Sequence, residues 1–241
     1  MNPTTAQRIE LSPQHIEAIN RRRRVVVNFD TLIVDPDDFA GVDDIVKSRF
    51  NFAAEPDTCI DSIWWCWGEG NAVPYPSKYL PTFDVPGYRR LIEEGINLVA
   101  LMQAEAHKRG LEGFFSHRMN GADNDPQWDA QRGTFIDDED HLNPIPMKQE
   151  HPDWLIEVPF VRNGLWNYEF QGVRDYYLRN LREVAEDFDF DGIELDFARG
   201  CPALPPGQAW SQRQAMTDFI LSVRVGENLM GYHFDGFDVE T

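Results

Sequence analysis

The chain has 241 residues, of which 42% are hydrophobic, and its formal net charge at pH 7 is −19. That length suits one large domain, and the acidic balance argues against nucleic acid or an anionic membrane as a partner. The three cysteines form no CxxC pair, so we expect free thiols and neither a zinc cluster nor a disulfide framework.

The N-terminal segment, residues 1–23, is polar and lacks the apolar core of a signal peptide. No run of about 18 apolar residues occurs in the chain, so we expect no transmembrane helix. These features predict a cytoplasmic protein, or an exported one whose leader is absent from this sequence. The basic run Arg21–Arg24 adjoins a predicted strand in an acidic protein, where a solvated edge is the simplest interpretation.

Four apolar stretches, each ending in polar side chains, predict buried β-strands. They are residues 25–30, 62–68, 113–119 and 191–197. Helices are predicted at 41–50, 88–109, 173–188 and 208–224. Outside these elements, we expect a proline-rich loop at 73–86 and a long irregular segment at 121–170.

Strands that alternate with helices predict an α/β fold in which the active site lies at the carboxyl ends of parallel strands. Four such strands make half of a (β/α)8 barrel of the TIM type, and a complete barrel needs roughly 250 residues. We therefore predict a single, incomplete (β/α)8 TIM-barrel domain over residues 1–241, with about half of the barrel present. Residues 1–23 form its polar N-terminal extension, and a small open sheet is the alternative fold.

The stretch 188–199 carries the strongest chemical signal in the chain. Three apolar side chains point to one face of this strand by its two-residue period, namely Ile193, Leu195 and Phe197. Glu194 and Asp196 point to the other face. Two carboxylates on an apolar strand are costly unless their face is wet, paired or functional, so this face is a candidate site.

The same region resembles a known family. Residues 166–177 and 190–199 are similar to glycoside-hydrolase-like TIM-barrel proteins related to the glycoside hydrolase family 10-like (GHL10) group. Those proteins share a VRDY helix, a (Y/F)DxDGIxLD strand and a trailing arginine, and the phrase His151–Trp154 resembles their HPxW. The resemblance covers roughly residues 110–200 well. It implies the N-terminal half of a TIM-barrel glycosidase that acts on a poly- or oligosaccharide.

Two departures from related patterns bear on this resemblance. The tail 236–241 is similar to a phrase that follows the fifth strand in these relatives, which suggests a missing internal segment. The strand at 191–198 also lacks the DGxDxDxE pattern of family 18 chitinases, because Glu194 and Ala198 occupy two of its acidic positions. We therefore do not expect substrate-assisted chitinase chemistry.

Glycoside hydrolysis usually needs one carboxyl group to protonate the leaving oxygen and another as base or nucleophile. We expect Glu194 and Asp196 to be catalytic, since their Cα atoms lie about 6.6 Å apart on one face of a strand. Carboxyl separations of about 5–5.5 Å suit retention and about 6.5–9.5 Å suit inversion, so the outcome stays open. Alternatively, one of the two acids is catalytic and its partner lies outside this half of the barrel, or one or both acids pair with Arg118 or Arg199.

Further side chains near the strand ends are expected to rim the same mouth and bind the sugar. They are Asn28, Asp30, Trp65, Trp67, Glu69, His117, Arg118, Asn120 and Arg199. The alternatives are loop capping for the short polar residues, core packing for the tryptophans and a semi-buried position for the histidine. We favour a core position for Trp64 and leave Trp67 as a candidate sugar platform beside its core alternative.

We expect no metal and no cofactor, because His141 and His151 have no neighbours at metal-ligand spacing. The expected partner is the carbohydrate substrate alone, and the oligomeric state is left open. Two other functions remain as hypotheses. One is a non-catalytic or degenerate carbohydrate-binding barrel, and the other is a metal-dependent hydrolase built on a related barrel.

Overall fold

The computed structural model describes residues 13–20, 25–30, 35–55, 57–69, 71–83, 85–120, 127–129, 134–136 and 145–227. His141 and the tail at 236–241 lie outside these residues. The helices are α1 (Pro13–Asn20), α2 (Val42–Phe50), α3 (Pro86–Glu93), α4 (Leu98–Lys108), α5 (Pro146–Glu150), α6 (Gln171–Asp187) and α7 (Ala209–Glu227). The strands are β1 (Val26–Phe29), β2 (Ser62–Glu69), β3 (Glu112–Arg118), β4 (Gln127–Asp129), β5 (Thr134–Ile136), β6 (Leu155–Val158), β7 (Val161–Trp166) and β8 (Gly192–Asp196).

The main sheet has the strand order β1-β2-β3-β8, and each neighbouring pair is parallel. The prediction of four adjacent parallel strands is therefore confirmed, and the fold is a mixed α/β fold with a parallel sheet. Helices α2, α6 and α7 lie close to where the sequence predicts them. No described helix is both long enough and apolar enough to cross a membrane.

The hydrophobic core lies between the main sheet and its helices. Alternate strand residues such as Ile63 and Phe115 enter it from the sheet, because successive side chains of a strand point to opposite faces. Met102 of α4 and Val184 of α6 enter it from the helices. Burial of this one face leaves the other face of the sheet as the place for polar side chains.

The prediction of a single helix at 88–109 is wrong, because the structure has two helices, α3 and α4, in this range. Gly95 ends α3 with a φ of 76°, which favours glycine, and its amide bonds to the carbonyl of Ile92. Asn97 then caps α4, because its Oδ1 accepts a hydrogen bond of 3.1 Å from the amide of Ala100. Gly110 ends α4 as predicted, with a φ of 70°.

The expectation of an irregular segment at 121–170 is also wrong for the residues that the structure describes there. These residues include a second, antiparallel sheet in the order β5-β4-β7-β6. Strands β6 and β7 make a hairpin that buries Ile156 and Leu165. These strands have three to six residues each, too short for their apolar period to stand out in the sequence.

A buried carboxylate holds the proline-rich loop against α6. Glu183 is only 3% exposed, and its Oε1 accepts a hydrogen bond of 2.6 Å from the Lys78 amide. Its Oε2 accepts from the Ser77 hydroxyl and, at 3.3 Å, from the side-chain Nδ2 of Asn180. A charged acceptor with several donors is how a buried carboxylate becomes tolerable, so Glu183 has a structural role.

Candidate functional site

The main sheet is curved, and the curvature brings its first and last strands together on one face. The Nδ2 of Asn28 on β1 lies 3.2 Å from Oε2 of Glu194 on β8, although β2 and β3 separate the two strands. Strands lie about 4.8 Å apart, so β1 and β8 would be about 14 Å apart in a flat sheet. The side chains of Asn28 and Glu194 can meet because the sheet is curved and both side chains point to its concave side.

Strand register identifies the other members of this concave face. Asn28 pairs with Trp64, Trp64 with Phe114, and Phe114 with Gly192. Neighbours in register project to the same side of a sheet, and alternate residues return to that side. We call the following set the concave face: Asn28, Trp64, Phe114, Arg118, Glu194 and Asp196.

Glu194 and Asp196 lie side by side at the carboxyl end of β8, and both are half-buried. Asn28 donates to Glu194, and the Ala198 amide donates to Oδ1 of Asp196 at 2.8 Å. Each carboxylate therefore keeps a fixed orientation while part of it still reaches solvent. Two oriented and accessible carboxylates meet the basic requirement of acid–base chemistry on a glycosidic bond.

An ion pair joins two further strands at the same end of the sheet. The guanidinium of Arg118 on β3 donates to Oδ1 of Asp30, which follows β1. The Arg118 side chain is 9% exposed and that of Asp30 is 40% exposed. Arg118 is also in register with Asp196 on the neighbouring strand. A buried guanidinium thus supplies positive charge beside the acids of the concave face.

An aromatic pair forms the apolar floor of the concave face. The rings of Trp64 and Phe114 stack with centroids 5.0 Å apart, and the Trp64 indole donates to the Ser62 hydroxyl at 2.9 Å. Both side chains are half-buried. Sequence reasoning missed this pair, because it favoured a core position for Trp64. Gly192 is the one signal for it, since a Cβ there would come within 2.3 Å of the Phe114 ring.

Trp65 and Trp67 do not belong to the mouth where we expected them. Both are fully buried on the helix-facing side, together with Ile63 two residues earlier. The Trp65 ring stacks on Phe29 and meets Phe50 edge-on. The two-residue period of β2 puts this set on the core side, which leaves Trp64 for the concave face.

His117 and Asn120 are also placed away from the mouth. His117 is fully buried on the helix-facing side, where its ring meets Tyr177 of α6 edge-on at 5.5 Å. Asn120 is 1% exposed, and its Nδ2 bonds to the backbone carbonyls of Trp166 and Pro202. Its Oδ1 accepts from the Trp166 amide, so Asn120 ties three segments together.

Two other expected residues lie at the carboxyl ends without a described role. Glu69 is the last residue of β2 and pairs in register with Arg118, but its side chain lies outside the described part of the chain. Arg199 is exposed in the loop after β8. The structure therefore brings Asn28, Arg118, Glu194 and Asp196 to the concave face, and Asp30 is joined to this group through its contact with Arg118.

Among the described residues, no group of three or more His, Cys, Asp or Glu side chains is arranged to hold a metal ion. Cys59, Cys66 and Cys201 are free thiols. One cavity of about 590 Å³ lies beside the β6–β7 hairpin, and another of about 550 Å³ lies beside α6, both away from the concave face.

Comparison with known proteins supports the fold. No family model matches the chain, and no curated protein matches it. Alpha-L-fucosidase isoenzyme 2 from Paenibacillus thiaminolyticus is a similar solved structure, with a TM-score of 0.54 and 15% identity over 88% of this chain and 31% of that one. The galactosidase domain of an alpha-galactosidase-sucrose kinase gives a TM-score of 0.49 and 15% identity, over 86% of this chain and 26% of that one. An alpha-galactosidase from Thermus thermophilus gives 0.45 and 14%, over 86% of this chain and 39% of that one.

The chain thus spans about a third of the fucosidase chain. At 15% identity, the similarity to the fucosidase establishes the fold and nothing about function. That fold is glycoside-hydrolase-like. The general part of the resemblance seen in the sequence is confirmed. Membership of the narrower GHL10-related group stays a prediction.

Proposed function

We propose that the chain is an incomplete (β/α)8 barrel that acts as a glycoside hydrolase on a poly- or oligosaccharide, with Glu194 and Asp196 as its carboxylate pair. The observation that carries this proposal is the position of the two acids. They share the concave face at the carboxyl end of a parallel strand, which is where barrels of this kind place their active sites. The glycoside-hydrolase-like fold supports the same reaction class.

In this proposal one carboxyl group protonates the leaving glycosidic oxygen. The other either attacks the anomeric carbon or takes a proton from the water that does so. Asn28 orients Glu194 by its hydrogen bond. The exposed part of Asp30 offers an acceptor to sugar hydroxyls, while the ring pair of Trp64 and Phe114 offers apolar surface to a sugar ring.

The test is hydrolysis of a panel of aryl glycosides by the purified chain and by the double variant Glu194→Gln/Asp196→Asn. We expect release of the aryl alcohol from at least one member of the panel and its loss in the double variant. Asp153→Asn is the matched control, because Asp153 is an exposed acid on a different element. Hydrolysis that survives the double variant would remove this strand from the mechanism.

A non-catalytic carbohydrate-binding barrel is the second candidate. The number of strands favours this candidate. The described residues contribute four parallel strands to the main sheet, whereas a complete barrel forms its site from eight. Calorimetry with oligosaccharides separates the two candidates. Binding without turnover, retained in Glu194→Gln and lost in Trp64→Ala, supports the binding protein.

A further inference from the structure

The segment that follows β8 holds the carboxylate of Asp196 in place. The Ala198 amide donates to Oδ1 of Asp196 at 2.8 Å, so the position of this oxygen follows the backbone after the strand. That backbone turns at Gly200, whose φ of 64° favours glycine. The orientation of the carboxylate therefore depends on the contacts that hold residues 197–203.

Tyr168 contacts this segment at both of its ends. It lies two residues after β7 and is fully buried. Its ring meets the ring of Phe197 nearly edge-on, with centroids 5.6 Å apart and an angle of 74° between the planes. Its backbone amide donates a hydrogen bond of 3.0 Å to the carbonyl of Ala203. One buried residue thus contacts the first and the last residue of the segment.

The hydroxyl group of Tyr168 reaches the strand next to β8. It donates a hydrogen bond to the carbonyl of Met119, which is the residue after β3. The Met119 amide in turn donates to the carbonyl of Asp196 at 2.9 Å. A buried tyrosine usually gives its hydroxyl a hydrogen-bond partner, and here the partner is a residue that is itself bonded to Asp196.

Asn120 holds the same segment from the end of β3. Its Nδ2 donates to the Pro202 carbonyl at 3.3 Å and to the Trp166 carbonyl at 3.2 Å. The backbone of Gly200 lies directly against it, since a Cβ at Gly200 would come within 1.6 Å of the Asn120 carbonyl oxygen. Trp166 ends β7, two residues before Tyr168, so both sets of contacts join the antiparallel sheet to the segment after β8.

We infer that Tyr168 is a positioning residue for Asp196 and that Asn120 supports it. Tyr168 packs against Tyr177 of α6 and Phe219 of α7, on the helix side of the sheet, so it does not contact a sugar on the concave face. It acts through the backbone on both sides of Asp196. Its effect on turnover rests on the proposed function, whereas its effect on the backbone of Asp196 does not.

The first experiment needs no substrate. Amide hydrogen exchange is measured by NMR at Met119, whose amide bonds to Asp196, and at Met102 in α4, which reports any general loss of stability. In Tyr168→Phe we expect the ratio of the Met119 rate to the Met102 rate to rise about tenfold or more. Tyr176→Phe is the matched control, because Tyr176 is also buried but lies on α6, and it should leave the ratio unchanged. A ratio that stays the same in Tyr168→Phe would overturn the inference, whether or not the protein hydrolyses a glycoside.

The second experiment measures kcat and KM on an aryl glycoside that the wild type hydrolyses. Tyr168→Phe should lower kcat about tenfold and change KM less than about twofold, because a misplaced reacting group slows the chemical step more than binding. A lower thermal midpoint with an unchanged kcat per folded molecule would mean a purely structural role and would contradict the inference.

Phe197→Leu is a second variant for both experiments if Tyr168→Phe does not fold. Phe197 is half-buried, and its replacement removes the ring contact with Tyr168. It should reproduce the faster exchange at Met119 and the lower kcat, and the inference fails if it reproduces neither. If the wild type hydrolyses no glycoside of the panel, the proposed function fails, and the exchange ratio alone decides whether Tyr168 positions Asp196.

Discussion

Asn28 on the first strand of the main sheet donates a hydrogen bond to Glu194 on the last strand, across the two strands between them. The contact is possible because the sheet is concave on the side that carries Glu194 and Asp196. It also gives Glu194 a donor that comes from the opposite edge of the sheet. The geometry of the candidate site therefore depends on the curvature of the whole sheet and not only on β8.

The first prediction concerns Asn28 itself. Asn28→Ala should lower kcat/KM by about 10- to 100-fold, because a hydrogen bond to a charged group contributes about 1.5–3 kcal/mol. Asn28 is exposed, so the free energy of unfolding should change by less than about 0.5 kcal/mol. Steady-state kinetics and urea denaturation measure the two effects. Asn51→Ala, an exposed amide after α2, is the control and should leave both unchanged.

The second prediction concerns the two carboxylates one at a time. Glu194→Gln and Asp196→Asn should each lower kcat by about 100-fold or more, as expected for a lost acid–base group. Both side chains are half-buried near solvent, so the thermal midpoint should move little. If one variant keeps the turnover of the wild type, that residue has a binding or structural role and its catalytic partner lies elsewhere.

The third prediction tests the assignment of Trp65 to the core and of Trp64 to the concave face. Trp65→Ala should destabilise the fold by about 3–5 kcal/mol, because the indole is fully buried against Phe29 and Phe50. Trp64→Ala should cost less stability, since that ring is half-buried, but it should weaken carbohydrate binding. Guanidinium denaturation and calorimetry measure the pair. Equal destabilisation by both changes would contradict the assignment of the two faces.

The fourth prediction concerns the buried carboxylate that holds the proline-rich loop. Glu183→Ala should destabilise the protein by about 2–4 kcal/mol, because the Lys78 amide and the Ser77 hydroxyl would lose a charged acceptor. Glu186 on the same helix is exposed, and Glu186→Ala should change stability by less than about 0.5 kcal/mol. A denaturation midpoint for Glu183→Ala equal to that of Glu186→Ala would show that the loop needs no such anchor.

The fifth prediction is loss of stability at alkaline pH. Burial raises the pKa of Tyr176 to about 12 and also raises the pKa values of Tyr75, Tyr88 and Tyr168 above their usual range. Below pH 10 these phenols are neutral in both the folded and the unfolded protein, so their contribution to stability is fully present. Between about pH 10 and 12 the unfolded chain releases protons that the folded chain retains, and stability falls.

Tyrosinate absorbance at 295 nm and circular dichroism should report this transition together. For Tyr176 alone the loss is roughly 1–3 kcal/mol by pH 12, since each pKa unit corresponds to about 1.4 kcal/mol. Tyr176→Phe should shift the alkaline midpoint upward, because it removes one ionising group from the unfolded state. Ionisation of all tyrosines before any change in circular dichroism would rule out their burial.

The sequence by itself determined the features that depend on local periodicity. The two-residue alternation of 191–197 separates Ile193 and Leu195 from Glu194 and Asp196, and the structure has this separation. Helix α6 follows from apolar residues on one helical face, and Gly110 ends α4 as its conformational freedom predicts. The stop and start between α3 and α4 were also present in the sequence, as Gly95 and Asn97, but a continuous apolar pattern obscured them.

Only the tertiary structure decided which polar and aromatic side chains share the candidate site. A single strand shows which of its residues alternate, but it does not show which of the two sets faces the helices. The core therefore contains Trp65, Trp67 and His117, which we expected at the mouth, and Trp64 lies on the concave face. The contact between Asn28 and Glu194 joins residues 166 positions apart. It exists because strand pairing sets the register of β1 to β8 and curvature brings their side chains together, and neither property is encoded in any one segment.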